Sequence, residues 1–298
     1  MNYHKILNPN VRKTLEKDIS EPYVLSEKGS QIVYEYNRLL PVSYFEHLEF
    51  PVSDFWFDYF STKMDLAFSH RKIKALDVCA GTGTLSLNLM VKSYFEKCIA
   101  IDISEVAINR LKERIISFSL NEIMEAKCDN IMDTSFENNE FDCIVGNSFL
   151  HHLPNNRLFL REMHRILAPG GSICFTGEPS VSCSRLEGFF LGNFISLLKF
   201  LRLKKSTAVF SMSDIWSYDV NSLKKLLDEE GFKDIKIIPF GFLVSILNEP
   251  TSFLMSKIIG RSMQPIWYWN FLGKVDKLFF SWIPANYHSH FIITGKKS

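Results

Sequence analysis

The chain reads as an α/β protein built on a doubly wound parallel sheet, and three observations say so. From residue 73 onward, short apolar runs of strand length alternate with helical patterns. Most of these runs are nearly continuous in apolar residues, as strands buried on both faces of a parallel sheet are. The first run also opens into a glycine-bearing turn and then a helix, Ala75-Leu-Asp-Val-Cys-Ala-Gly-Thr-Gly-Thr84, a layout suited to a nucleotide-like ligand.

The expected strands are Ile73–Cys79, Cys98–Ile103, Ile123–Cys128, Phe141–Asn147 and Ser172–Gly177, followed by Phe232–Pro239 and Ser289–Gly295. Between them, Leu87, Met90, Val91 and Tyr94 mark one helical face, Ile108, Leu111 and Ile115 a second, and Phe159, Met163, Ile166 and Leu167 a third. Leu223, Leu226 and Leu227 mark a last one. Ser104 and Asp219 suit helix N-caps; Pro169-Gly170-Gly171 and Gly231 suit helix ends. Residues 1–70 form an N-terminal helical cap in this reading, and 71–298 the main domain, with insertions at 180–212 and 240–287. In the first insertion Phe190, Phe194, Leu197, Leu198 and Leu201 share one helical face. The second holds 11 aromatics in 48 residues, against 30 in the other 250, which favours a large apolar or ring-bearing ligand or a homodimer interface. Trp267, Trp269, Phe279, Phe280 and Trp282 would then help form a lid that rests on a membrane surface; an enlarged core is the alternative.

A net charge of +1 and no Lys/Arg run longer than two argue against nucleic acid as partner. The polar N-terminus and the lack of any apolar stretch near 18 residues predict a cytoplasmic protein. Six cysteines occur without a CxxC pair, and Cys79, Cys98, Cys128, Cys143 and Cys174 fall on or beside strands, so buried reduced thiols are expected. The histidines form no metal constellation with cysteines, and catalysis without metal is the expectation.

Gly81 and Gly83 permit close approach of a ligand to the backbone. Ile99-Ala-Ile-Asp102 ends in a carboxylate 19 residues beyond Gly83, placed to accept from both hydroxyls of a ribose, or else to cap the helix opened by Ser104. Dinucleotide and S-adenosylmethionine sites share these features. Ser86, where a dinucleotide fingerprint wants glycine or alanine, weighs against the former.

Four ordered segments, LDVCAGTG, IAIDIS, CDN with FENNEFDCIVGNSFLHHL, and FLREMHRILAPGGSICFTGEP, resemble the class I S-adenosylmethionine-dependent methyltransferases of the small-molecule, type 11 group. The resemblance is strong over 73–178 and weaker over 219–239 and 289–297, where FIITGKK looks like that fold's closing strand. It implies a seven-stranded Rossmann-like sheet with a reversed last strand, S-adenosyl-L-methionine as cofactor, and biosynthetic methyl transfer to a small-molecule acceptor. Quinone or lipid C-methylation is one alternative; a cofactor-binding accessory protein without turnover is another. The resemblance places Asp77, Ala80, Gly81 and Gly83 along the methionine and adenosine path, Asp102 and Ile103 at the ribose, and Asp129 and Asn130 at the adenine. Asn147 and Ser148 would lie near the methyl group. His151 and His152, just beyond, are candidate general bases or structural packing groups. Two departures stand out: Cys79 replaces the first glycine of the loop, and Asp133-Thr134-Ser135 replaces a Leu-Pro pair. Tyr34 and Tyr36 either cap the pocket or belong to a helical core, and Glu178 is either a cleft-edge group or a solvated loop acid.

Overall fold

A computed structural model describes residues 7, 15–40, 73–182, 214–243, 247, 266–280 and 282–298. Apart from a short ribbon pairing Ile19–Glu21 with Val24–Leu25, the strands are β1 (Lys74–Val78), β2 (Lys97–Asp102), β3 (Met124–Cys128), β4 (Phe141–Asn147), β5 (Leu167–Pro179), β6 (Phe232–Phe240) and β7 (His290–Lys297). They form one sheet of order β3-β2-β1-β4-β5-β7-β6, in which β7 runs antiparallel to both neighbours and the five leading strands run parallel. The reversed last strand and the seven-stranded α/β sheet are as expected from the sequence.

The helices are α1 (Glu27–Arg38), α2 (Thr84–Val91), α3 (Glu105–Ser117), α4 (Asn156–Ile166), α5 (Val220–Glu229) and α6 (Ile266–Phe279). Alternate strand residues feed two cores because strand side chains alternate across the sheet. Ala75, Cys98, Ala100, Cys143 and Val145 pack with Leu87 and Met90 of α2 and Ile108, Leu111 and Ile115 of α3. Leu76, Val78, Ile144, Ile173 and Phe175 pack with Phe159 and Met163 of α4 and Leu223, Leu226 and Leu227 of α5. Ser104 accepts from the N–H of Ala107 at 3.3 Å, and Asp219 from those of Asn221 and Ser222 at 3.1 Å, so both N-caps form.

Three details differ from the sequence pattern. α2 is apolar on nearly every side, so periodicity misplaces its face: Leu89 is fully buried, whereas Val91 is 55% exposed. β5 starts at Leu167, directly after α4, and Pro169-Gly170-Gly171 lies within its irregular opening instead of ending the helix. Pro169 biases the preceding Ala168 toward extended backbone, which favours this early start. Cys98, Cys143 and Cys174 are buried free thiols, but Cys128 is exposed at the tip of the edge strand and Cys79 only half-buried.

The N-terminal elements dock beyond the tip of β4. Leu25 N–H donates to the Pro154 carbonyl at 2.8 Å and Asn156 N–H to that of Tyr23 at 3.1 Å. The Tyr23 ring stacks on Tyr218 with centroids 5.0 Å apart. At the two borders of the sheet, β6 carries exposed Lys233 and Lys236 flanking a register irregularity, and β3 carries exposed Glu125 and Lys127. The first insertion's apolar face and the side chains of Trp267 and Trp269 lie outside the described residues.

Gly83 opens α2 in the left-handed conformation, φ +78°, and a Cβ built there would come within 2.3 Å of Leu111 Cδ1. Gly83→Ala is therefore expected to lower unfolding free energy by about 1–3 kcal/mol, through backbone strain plus overpacking against α3, as measured by urea titration.

Candidate active site

The C-terminal ends of β1, β2, β3 and β4 open on a cavity of about 330 Å³. Its wall includes Asp77, Ala80, Gly81, Asp102, Ile103, Asp129, Asn130, Asn147, Ser148 and His152. Gly83 and His151 are not in that wall; Gly83 faces Leu111 instead, and His151 is buried behind the turn that follows β4. Sequence reasoning gave no role to several other lining residues: Asn37 and Leu40 at and after the end of α1, and Met132, Leu153 and Pro154. Tyr34 of α1 also lines the cavity, and Tyr36 does not.

The loop after β1 is shaped by its own hydrogen bonds. Gly81 N–H donates to Asp102 Oδ2 at 2.8 Å, Ala80 N–H to the Ile101 carbonyl at 3.0 Å, and Gly83 N–H to that of Ala80 at 2.7 Å. Gly81 has φ +53°, and Cys79 has φ +50°, a region that L residues occupy at a cost of about 1–3 kcal/mol. That backbone requirement explains why a glycine is expected at position 79. Ser148, at the tip of β4, is likewise left-handed at φ +53°.

Asp102 does two jobs. Its Oδ1 accepts from Ser104 N–H at 2.9 Å and its Oδ2 from Gly81 N–H, so helix entry and loop shape both hang on one carboxyl group. Each oxygen keeps a further lone pair for a ligand hydroxyl. Burial pushes this carboxyl above the usual range, while the N–H groups of Ser104, Gly81 and Ile103 pull it back.

Asp77 is more unusual. It is 1% exposed, and neither carboxylate oxygen finds a hydrogen bond of good geometry, although the buried Ser86 hydroxyl lies near enough to oppose the shift. Burial raises its pKa to about 7. A buried acceptor facing a cavity without a donor is what an absent cationic or N–H-bearing ligand would leave behind. Asn37 Oδ1 is a second buried acceptor without a partner. The residues present thus fit a nucleoside ligand with a charged amino-acid end.

Beyond Ser148 the chain makes the short turn Leu150–His152, and here Glu178 overturns its expectation. It is neither solvated nor at the cleft edge but fully buried within β5. Its Oε1 accepts from the N–H groups of Phe149 and Leu150 at 3.1 and 3.0 Å; its Oε2 accepts from that of His151 at 3.1 Å and lies 2.9 Å from His151 Nδ1. Burial alone would lower the His151 pKa, but Glu178 and Asp214 outweigh it and the net shift is upward.

The described parts of the two insertions add nothing to the cavity wall. α6 packs at the far border of the sheet, where Leu243 N–H donates to Asp276 Oδ1 at 2.7 Å, and Phe279 and Trp282 are 59% and 77% exposed. The aromatic lid over the cavity is therefore not formed by these residues.

Asp77 yields a pH-dependent expectation. Its folded pKa is raised, so the native state holds the extra proton between the ordinary Asp range and about 7, and stability falls as pH rises through that window. Asp77→Asn should be more stable than the parent at pH 8 by about 1–3 kcal/mol, with the gap closing below about pH 4. Denaturant titrations of both proteins at pH 4, 6 and 8 check it.

A family model described as a methyltransferase domain matches residues 76–175. The chain is 31% identical over 174 residues to a demethylmenaquinone methyltransferase of Staphylococcus haemolyticus, covering 56% of this chain and 71% of that protein. It is 28% identical over 169 residues to the same-named protein of Oceanobacillus iheyensis, covering 55% and 71%. Among solved structures it resembles the phosphoethanolamine N-methyltransferase 2 of Haemonchus contortus in complex with S-adenosyl-L-methionine, at 14% identity and a TM-score of 0.57, over 97% of this chain and 59% of that one. The ordered motifs, the sheet order and these relatives agree, and the chain belongs to the class I S-adenosylmethionine-dependent methyltransferases.

Proposed function

We propose that this methyltransferase acts on an apolar, ring-bearing acceptor of the quinol class, with a hydroxyl group near the carbon or oxygen to be methylated. The carrying observation is that one cavity is lined both by the acceptor groups of Asp77, Asp102 and Asp129 and by the apolar side chains of Leu40, Ile131, Met132, Phe149 and Leu153. S-adenosylmethionine supplies, when bound, a methyl group already activated by its sulfonium. The chain's own task is to hold, orient and exclude water.

In this reading Asp77 receives the amino-acid end of the cofactor, Ala80 and Gly81 border it, Asp102 with Ile103 holds the ribose, and Asp129 with Asn130 meets the adenine. Gly83 shapes the loop without touching the ligand. Asn147 and Ser148 border the reacting centre. His152 in the cavity wall, with His151 and Asp214 beside it, lies next to that centre and promotes loss of the acceptor's proton. Helix α1, carrying Tyr34 and Asn37, closes the cavity as the N-terminal cap, with the main domain from residue 71 beneath it. The names of the similar demethylmenaquinone methyltransferases support the acceptor class.

An apolar acceptor gives the outer face of α6 a use. Phe271, Leu278 and Trp282 are 58%, 74% and 77% exposed, with Lys274 and Lys277 exposed beside them, a pattern suited to resting on a lipid surface. A second copy of the chain is the competing occupant. Among the described residues no helix is long and apolar enough to cross a membrane, which is compatible with a cytoplasmic protein that visits a lipid surface.

Two measurements test the reading. Asp102→Ala should weaken S-adenosylhomocysteine binding roughly 10- to 100-fold by calorimetry, because about 1.5–3 kcal/mol of hydrogen bonding is lost. Comparable affinity of the parent for NADH would overturn the cofactor assignments. Incubation with a chemically reduced prenyl-naphthoquinol or benzoquinol in detergent should release S-adenosylhomocysteine and yield methylated product. Turnover of polar amines alone would overturn the acceptor class.

A further inference from the structure

We infer that His151, His152 and Asp214 form a binding site for one divalent transition-metal ion of the zinc class at the acceptor end of the cavity. The sequence pattern gives no hint of it, because Asp214 lies far downstream, beyond the first insertion. The fold brings it back. Ile215 and Trp216 N–H groups both donate to the His151 carbonyl, at 2.9 and 3.2 Å, and Trp216 Nε1 donates to the Leu153 carbonyl at 2.7 Å. Asp214 is thus held beside both histidines by bonds that do not involve its own carboxyl group.

The three side chains are gathered closely enough for their donor atoms to reach one ion with small side-chain rotations. His152 Nδ1 lies 3.4 Å and His151 Nε2 3.7 Å from Asp214 Oδ1, and the three donor atoms all fall within 4.8 Å of one another. The two nitrogen–oxygen distances exceed those of good N–H···O bonds. By contrast, ligands about 2.0–2.2 Å from a tetrahedral zinc ion stand about 3.3–3.6 Å apart along the edges of the tetrahedron.

Glu178 supplies an independent argument. The His151 ring meets that fully buried carboxyl at Nδ1, 2.9 Å away, and three backbone N–H groups hold the carboxyl in place. Nδ1–H donating to Glu178 leaves the Nε2 lone pair directed toward Asp214. A carboxylate behind an imidazole is how metal-binding histidines are commonly oriented. Two imidazole nitrogens and one carboxylate oxygen suit Zn²⁺, Co²⁺ or Fe²⁺ better than Mg²⁺ or Ca²⁺, and three protein ligands leave a position open.

His152 lines the cavity, so the open position lies on the acceptor's side. The inference rests on the proposed hydroxyl-bearing acceptor for its purpose. A hydroxyl oxygen ligated there would lose its proton more readily: the O–H pair stays on oxygen, and the proton passes to solvent water.

The test uses the full chain, stripped with a chelator and dialysed. Zn²⁺ titration by calorimetry should show one ion per chain. Co²⁺ should give visible ligand-field bands that added Zn²⁺ removes. Asp214→Asn and His152→Gln should each weaken binding at least about tenfold, and Glu178→Gln should do the same through the misoriented His151 ring. Circular dichroism melting identifies any variant that does not fold, and the half-exposed Asp214 and His152 positions provide two separate chances. Absence of a stoichiometric ion in the parent, or equal binding by both folded variants, overturns the inference. The acceptor reading fails separately: an ion that binds as described while every quinol stays unmethylated preserves the metal site and rejects the quinol.

Discussion

The buried carboxyl group of Glu178 is the interaction on which the acceptor end of this enzyme depends. An unsatisfied carboxylate in a protein interior costs several kcal/mol, so the group persists only because three backbone N–H groups and the His151 ring surround it. These partners all belong to the turn after β4, whereas Glu178 belongs to β5. The carboxyl therefore clamps two adjacent strand ends together. The crowding is visible in Ser148 and Gly177, both left-handed, where a Cβ on Gly177 would meet Ser148 Oγ at 2.1 Å. The Asp214 segment attaches to that clamped turn at the His151 carbonyl, and the N-terminal ribbon pairs with the chain just beyond it, at residues 154–156.

Much of the scaffold was legible in the sequence for a physical reason: strands buried on both faces leave runs such as Phe141–Asn147 that resemble nothing else, and Ser104 and Asp219 cap their helices through side chains read off directly. That Asp77, Gly81, Asp102 and Asp129 share one cavity was legible too, since loop residues and strand-end acids lie at intervals dictated by the chain path. The acceptor side was not. Glu178 looks solvent-exposed in sequence because its donors come from a turn 27 to 29 residues earlier. Tyr34 and Asn37 reach the cavity, and Asp214 reaches His151 and His152, by packing between distant segments, and no local period encodes that. Gly83 is the converse case, a glycine of the loop pattern that lies outside the cavity wall and abuts Leu111.

A division of labour follows within the chain. The segment matching the family model supplies most of the cavity wall, while Tyr34 and Asn37 of α1, and Asp214 beside the histidines, lie outside it. The cofactor side also carries a cost in the free protein. Asp77 is buried with neither carboxylate oxygen in a hydrogen bond of good geometry, and Cys79 sits in a strained backbone region. Ligand binding that gives Asp77 a donor stabilises the folded state by mass action, so the apparent melting temperature should track cofactor concentration.

The two borders of the sheet have a bearing on assembly. β6 presents Lys233 and Lys236 around a break in its pairing register, and β3 presents Glu125 beside Lys127, 3.3 Å apart as an ion pair. Lysines and irregular register on an outer strand obstruct the continuous backbone ladder that another strand would need in order to join. Two copies cannot readily extend one sheet into a fourteen-stranded structure, and neither border offers a template for fibrous growth. Self-association of this chain therefore falls to its helical and loop surfaces, where side chains rather than backbone ladders choose the partner.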